Sequence, residues 1–424
     1  MAATGRMAEA GLDEGQTRDI VSAACRGGDW RGKRVLLIIP DGTRTAPVGM
    51  LFKAIHAELR TEVAGLDVLV ALGTHQPMSE EAICGRLEIS VEERRGPYGA
   101  VRFFNHAWDD EAALWTLGTI SAAEIHRLSE GRFAMDVPVR VNKMLFDYDQ
   151  VVIVGPVFPH EVVGFSGGNK YLFPGVAGPE VLNFFHWLGA VISTPKIIGN
   201  KWTPVRRVID HAGSMVNVPK LCFCLVVGAK GELSGLYAGT PEEAWSAAAD
   251  LSALLHITLK PRPFKTILAC APAMYDEIWT GGKCMYKLEP VLADGGELII
   301  YAPHIREVSF THGRVIEQVG YHCRDYFLKQ WERFQSFPWG VLAHSIHVYG
   351  LGTFENGVET PRARVTLATA ISEAKCRSIN LGYRDPATIQ AETFAHREDE
   401  GVLWVPKAGE RLFRLEHPPA WAMV

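Results

Sequence analysis

Two histidines and a lysine are gathered around one glycine-rich turn in Pro159–Trp187, PHEVVGFSGGNKYLFPGVAGPEVLNFFHW. Imidazoles move protons near neutral pH and ligate metals, while an amine set among glycines reaches an anion or forms a covalent bond. Gly164, Gly168 and Lys170 approach the pattern of a phosphate-binding loop, but that loop follows its Gly-Lys with Ser or Thr to hold a metal. Here Asn169 separates Gly168 from Lys170 and Tyr171 follows, so the lysine has a different task. The plain alternative is that Ser166, Gly167 and Gly168 make a tight turn and Lys170 is solvated; a lysine between two histidines argues against it.

Three further polar clusters follow apolar runs: Asp41-Gly42-Thr43-Arg44, Gly73-Thr74-His75 and Trp279-Thr280-Gly281-Gly282-Lys283. His75 and His160 at neighbouring strand ends could flank a substrate, one removing a proton and the other returning it. Arg44 offers a planar fork for a carboxylate, and Asp41 either orients Arg44 or caps the helix after it. Lys283, after two glycines that admit close backbone approach, is a second cation for a carboxylate or hydroxyl-bearing substrate. His186, beside Phe184, Phe185 and Trp187, is either a core histidine bonded to a backbone carbonyl or a metal ligand in a dry wall. Spacing alone favours the first.

The elements that must position these residues read as an α/β series. Arg34–Arg44 is a buried strand running into a turn, VGMLFKAIHAELR has helical spacing, and LDVLVALGTH is a second strand ending at His75. Ser79 is the expected N-cap of a helix over MSEEAICGRLEI. VRFFNHAW, VVIVGPVF and LCFCLVV continue the strands, and a helix is expected from near Pro179, so a largely parallel sheet with crossover helices is predicted. Site residues then lie at strand C-terminal ends, where open α/β sheets place ligands.

At 424 residues two domains are expected. The proline-bearing segment Leu259–Pro263 marks the boundary, giving a first α/β domain over 1–258 and a second over 259–400 that begins with FKTILACAPA and GGELIIYAP. A tail over 401–424 is expected to pack back on the first domain, and the ligand site is expected in the cleft between domains. The C-terminal segment with Trp339, His344 and His347 receives no role.

With 47% hydrophobic and 21% charged residues the composition is that of an ordinary globular protein, and a net charge of -5 gives no reason to propose a nucleic-acid partner. The eight cysteines include no CxxC pair; Cys222 and Cys224 alternate on one face of an apolar strand and read as core thiols. The N-terminal residues contain no apolar signal core and no run could span a bilayer, so a cytoplasmic location without membrane association is expected. Oligomeric state is left open, a homo-oligomer included.

Taken together, DGTR, GTH, PHEVVGFSGGNK-YLFPG, NFFH and GGK resemble the lactate racemase family that uses the nickel-pincer nucleotide, over roughly Asp41 to Pro303. The resemblance implies that Lys170 carries the cofactor, nickel pyridinium bis-thiocarboxylate mononucleotide, by a covalent thioamide-type linkage and that His186 is the nickel ligand. It implies acid/base roles for His75 and His160, substrate binding by Arg44 and Lys283, and Asp41, Ser166, Gly167 and Gly168 around the cofactor. The implied reaction is inversion at C2 of a small 2-hydroxy acid by proton-coupled hydride transfer, with cofactor-synthesis enzymes as maturation partners. Trp279 stands where lactate-converting members are expected to carry a Tyr-type residue. The paired glycines beside it are read as space and Thr280 as a hydrogen-bonding group for further hydroxyls, so a sugar acid such as gluconate is expected over lactate or another short 2-hydroxy acid. The rival readings are a metal-dependent hydrolase or lyase, and a nucleotide-binding module without chemistry.

Overall fold

The apolar runs become the strands of two separate sheets in the computed structural model, which describes residues 4–8 and 10–422. In chain order the first sheet contains β1 (Thr4–Met7), β2 (Arg34–Pro40), β3 (Gly65–Ala71), β4 (Phe103–Asn105), β5 (Gln150–Pro156), β6 (Lys220–Val227) and β7 (Leu233–Gly239). Their spatial order is β1-β7-β6-β5-β2-β3-β4. The β6-β5-β2-β3-β4 block is parallel, while β1 and β7 pair antiparallel at one edge. Residues Val35 to Ile39 and Val151 to Val154 are wholly buried, the reason these strands read as continuous apolar runs rather than alternating ones.

The chain lays down β2, places β3 on one side of it and returns to place β5 on the other. The gap between β2 and β5 is therefore a topological switch point, where an open parallel sheet leaves a crevice beyond its C-terminal ends. Ser79 caps Glu80–Arg86 through the Ala82 amide, as its position predicts. The helix Val48–Leu59 has no side-chain cap and starts after Pro47, so the capping role considered for Asp41 is not used. Cys222 and Cys224 are buried free thiols with sulfurs 3.6 Å apart.

The second sheet is parallel throughout. It contains β8 (Phe264–Cys270), β9 (Leu292–Ala302), β10 (Arg364–Thr369), β11 (Gly382–Tyr383) and β12 (Val402–Val405), in the order β11-β10-β9-β8-β12. Leu268, Ile299 and Ala368 form part of its core. The helix Trp339–Tyr349 in the same unit is buried at every position from Gly340 to Tyr349.

The division of the chain differs from a single cut at residue 258. One compact unit comprises Met1–Phe158, Phe165–Leu182 and Pro204–Leu255; the other comprises Pro159–Gly164, Asn183–Thr203 and His256–Val424. The segment 159–164 joins the second unit because its turn packs within it: a Cβ on Gly164 would meet the Asn200 carbonyl oxygen, and one on Gly189 would meet Val162. The tail is also placed differently. Val402–Val405 pairs with β8, and Leu412–Leu415 pairs with Ile257–Lys260, so the tail completes the second unit and the expected linker is itself a strand. Among the described residues no helix is long and apolar enough to cross a membrane.

Candidate active site

The turn that carries Lys170 is specified by its glycines and by a buried cation beneath it. Gly167 and Gly168 have φ of 93° and 61°, in the left-handed region. A Cβ on Gly167 would lie 2.5 Å from a Val157 methyl, and one on Gly168 would lie 2.8 Å from the Pro241 carbonyl oxygen. Ser166 closes the turn: its hydroxyl accepts the Phe158 amide at 2.9 Å and donates to the Pro156 carbonyl at 3.1 Å. These bonds engage its proton with the backbone, so Ser166 serves the shape of the turn that the resemblance lines with cofactor.

Arg206 is fully buried, donates to the Phe165 and Gly167 carbonyls, and lies 3.9 Å from the centre of the Trp245 ring. Burial lowers its pKa, and burial also raises that of its neighbour Asp210. Asn169 completes this layer by donating to Asp210 at 3.1 Å and to Glu242 at 2.6 Å. Two acceptors require the amide nitrogen of Asn169 to face them. Lys170 follows, half-buried, in the single 3-10 turn Gly168–Tyr171.

His75 lies in the same unit. Its Nδ1 is 2.5 Å from Oδ2 of Asp41, whose Oδ1 accepts both the Thr43 amide at 3.1 Å and the Thr43 hydroxyl at 2.7 Å. A carboxylate at Nδ1 holds the proton there and leaves the lone pair on Nε2, the form of a general base. Asp41 therefore orients His75, a task the sequence did not assign to it. The His75 loop is joined to the Lys170 loop by Gly73 N–H donating to the Gly175 carbonyl at 3.0 Å, and Gly175 N–H donates to the Lys170 carbonyl at 3.1 Å. Arg44, three residues beyond Asp41, is half-buried.

His160 belongs to the second unit and is buried. Its Nδ1 accepts the Val162 amide at 3.1 Å, with the Glu161 carboxylate 3.3 Å away. An accepting Nδ1 puts the neutral ring's hydrogen on Nε2, opposite to the form that Asp41 imposes on His75. The Lys287 ammonium holds this turn by donating to the carbonyls of Pro159 and Glu410. His186 is half-buried in the helix Pro179–Ile192.

The Trp279–Lys283 cluster is also in the second unit, and its details revise two expectations. Gly281 and Gly282 do not open space: a Cβ on Gly282 would meet a Val348 methyl at 2.6 Å, and one on Gly281 would meet Ile305 at 3.1 Å. They are glycines because this turn packs on the helix Trp339–Tyr349. The Thr280 hydroxyl donates to the Glu277 carbonyl at 3.1 Å, so its proton is engaged within its own turn. Trp279 packs against two imidazoles, its ring centre 4.4 Å from that of His312 and 4.1 Å from that of His344. Lys283 is buried, with its ammonium 4.7 Å from the centre of the Tyr275 ring.

Sequence reasoning missed Glu161, His312, His344 and His347. Burial lowers the pKa of His347 to about 4 and that of His344 well below its usual value; His186 adds to both shifts and Glu161 opposes the first. The sequence signals were the position of Glu161 inside PHEVVGFSGGNK and, for His344 and His347, the spacing of two histidines three apart in the run that ends SIHVYG.

Residues 20–197 match the model of the lactate racemase N-terminal domain. Two curated relatives are named lactate racemase. The one from Thermoanaerobacterium thermosaccharolyticum is 23% identical over 290 residues, 66% of this chain and 61% of its own length. The one from Lactiplantibacillus plantarum is 25% identical over 227 residues, 52% of this chain and 48% of its own length. The matched stretches thus span less than two thirds of either relative. Among solved structures, a Thermotoga maritima protein superposes with a TM-score of 0.89 at 34% identity, covering 97% of this chain and all of that one. The lactate racemase apoprotein from T. thermosaccharolyticum superposes with a TM-score of 0.68 at 17% identity, covering 94% of this chain and 93% of that one, a likeness of fold. The His75, His160 and Lys170 motifs lie inside the stretch, residues 20–197, that is similar to the lactate racemase N-terminal domain.

Proposed function

We propose that this protein is an isomerase that inverts C2 of a 2-hydroxy acid, with His75 and His160 as the acid/base pair. The observation that carries this reading is the carboxylate at His75: Asp41 at Nδ1 leaves Nε2 as a base. Inversion that passes through a ketone needs a neutral ring to take the hydroxyl proton and an imidazolium to give a proton back.

Arg44 and Lys283 are the cations for the substrate carboxylate, Arg44 by its bidentate fork and Lys283 as a point charge. The donor set fits the cofactor the family implies: Lys170 supplies an amine on a turn fixed by its own glycines, and His186 an imidazole nitrogen suited to nickel. Lys170 would hold the nickel-pincer nucleotide covalently and His186 would hold its metal. When bound, this group supplies an electron sink for the C2 hydrogen as hydride, which spares the chain from making a dianion beside an ionised carboxylate. The chain's own residues then handle only oxygen-bound protons. His75 takes the hydroxyl proton from one enantiomer as a transient 2-keto acid forms, and His160, as its imidazolium, returns a proton to oxygen when the other enantiomer is made and is left neutral.

The finer reading is a substrate larger than lactate, a sugar acid such as gluconate epimerised at C2. Support comes from the buried histidines His344 and His347, on which the charge of His186 acts, rather than from the glycines. The test is protein made alongside cofactor-synthesis enzymes. Lys170→Ala should lose nickel and the mass added at this residue, whereas His75→Ala should keep both and lose turnover. Loss of cofactor from both variants alike would overturn the role assignments.

A further inference from the structure

The helix Trp339–Tyr349 carries a polar atom without a partner. His347 is buried, its Nδ1 lies 2.6 Å from the Thr194 hydroxyl, and its Nε2 makes no hydrogen bond among the described residues. Buried polar atoms are almost always paired, so an unpaired one in a native interior calls for a partner that binds later. The Tyr286 ring stands edge-on at 6.2 Å from the imidazole. His347 is close enough to His186 and to Glu161, the neighbour of His160, for their charges to act on it. The imidazole thus shares the second unit with the candidate nickel ligand His186 and with Glu161, next to His160, and their charges act on it.

Resting on the racemase reading above, we infer that His347 determines substrate specificity: its Nε2 hydrogen-bonds a hydroxyl of the 2-hydroxy acid beyond C2. A single imidazole nitrogen donates or accepts one bond, which matches a hydroxyl, itself donor and acceptor; a carboxylate is better matched by the fork of an arginine. Thr280, the other candidate for this task, has its proton engaged by Glu277. A site built to bond a hydroxyl discriminates strongly against an analogue that lacks it, because its own polar atom is left buried and unpaired. His347 is held from behind by Thr194 and edge-on by Tyr286, so its nitrogen is presented in a fixed direction.

The two nitrogens can be removed separately. Asn places its amide near the position of Nδ1 and so retains a partner for Thr194, whereas Gln reaches the position of Nε2. Cofactor-loaded wild type, His347→Asn and His347→Gln are compared on gluconate and on lactate, with melting temperature and Lys170 modification by intact mass measured for each. The expected result is a fall of about tenfold or more in kcat/KM on gluconate for His347→Asn, carried by KM, with lactate changed less than about twofold. His347→Gln should restore most of the gluconate activity. Equal losses on both substrates, or a gluconate preference unchanged in His347→Asn, overturn the role of His347 while leaving racemase activity intact. A wild type that inverts no 2-hydroxy acid overturns the underlying reading and this inference with it.

Discussion

Asp41 holds His75 by a 2.5 Å contact from its Oδ2 to the ring Nδ1, while Oδ1 is tied to Thr43 in the same turn. The carboxylate is fixed from one side and fixes the imidazole from the other. Thirty-four residues apart in sequence, the two meet because β2 and β3 are adjacent and in register, with Pro40 opposite Ala71.

Replacing Asp41 by Asn keeps the shape and removes the charge that holds the proton on Nδ1. Steady-state kinetics of Asp41→Asn should show kcat reduced by about a hundredfold or more with KM changed little, because the histidine is left in the wrong neutral form. Intact mass should show Lys170 modified as in wild type. Full activity in this variant would mean that His75 needs no orienting partner.

Arg206 makes the turn beneath Lys170 dependent on one buried cation. Arg206→Leu strands the Phe165 and Gly167 carbonyls and leaves Asp210 without its ion partner 3.8 Å away. Removing one side of such a network should cost about 3 kcal/mol, read as a lower urea midpoint. Cofactor retention should fall with it, since the Lys170 turn is the part left unsupported.

Much of this was legible in the sequence, and what was not has physical causes. The β2, β3 and β5 strands read directly as apolar runs because parallel strands are buried on both faces. The Lys170 turn was legible because positive φ leaves a local mark as glycine. The Asp41–His75 pair was invisible because a contact between strand ends has no local signature. His347 was missed because its helix is buried on every side, which erases the helical periodicity that would mark a facing residue. Gly281 and Gly282, before Lys283, misled for a related reason: a missing side chain reads the same whether the space is open or filled, here by Val348.

His106 sets a pH limit on stability. Its Nε2 donates to the Ala177 carbonyl at 3.0 Å and its Nδ1 accepts from Asn142 at 3.1 Å, so the neutral ring is satisfied at both nitrogens and a second proton displaces Asn142. Burial lowers its pKa from 6.5 to about 4. The unfolded chain therefore binds the proton first as pH falls, and folding stability is lost between pH 6.5 and about 4, amounting to about 3 kcal/mol for this group. Urea unfolding of wild type and His106→Gln across that range should show a shallower pH dependence in the variant; identical slopes would contradict the assignment.

The most direct test of the central claim is the fate of the C2 hydrogen during inversion. Cofactor-loaded protein is given one pure stereoisomer of a 2-hydroxy acid in deuterium oxide, and products are resolved by chiral chromatography with mass detection. Inversion with the original hydrogen retained at C2 is expected, since it moves as hydride while His75 and His160 exchange only oxygen-bound protons. Inversion with deuterium at C2, or no inversion across lactate, gluconate and related acids, would contradict the account.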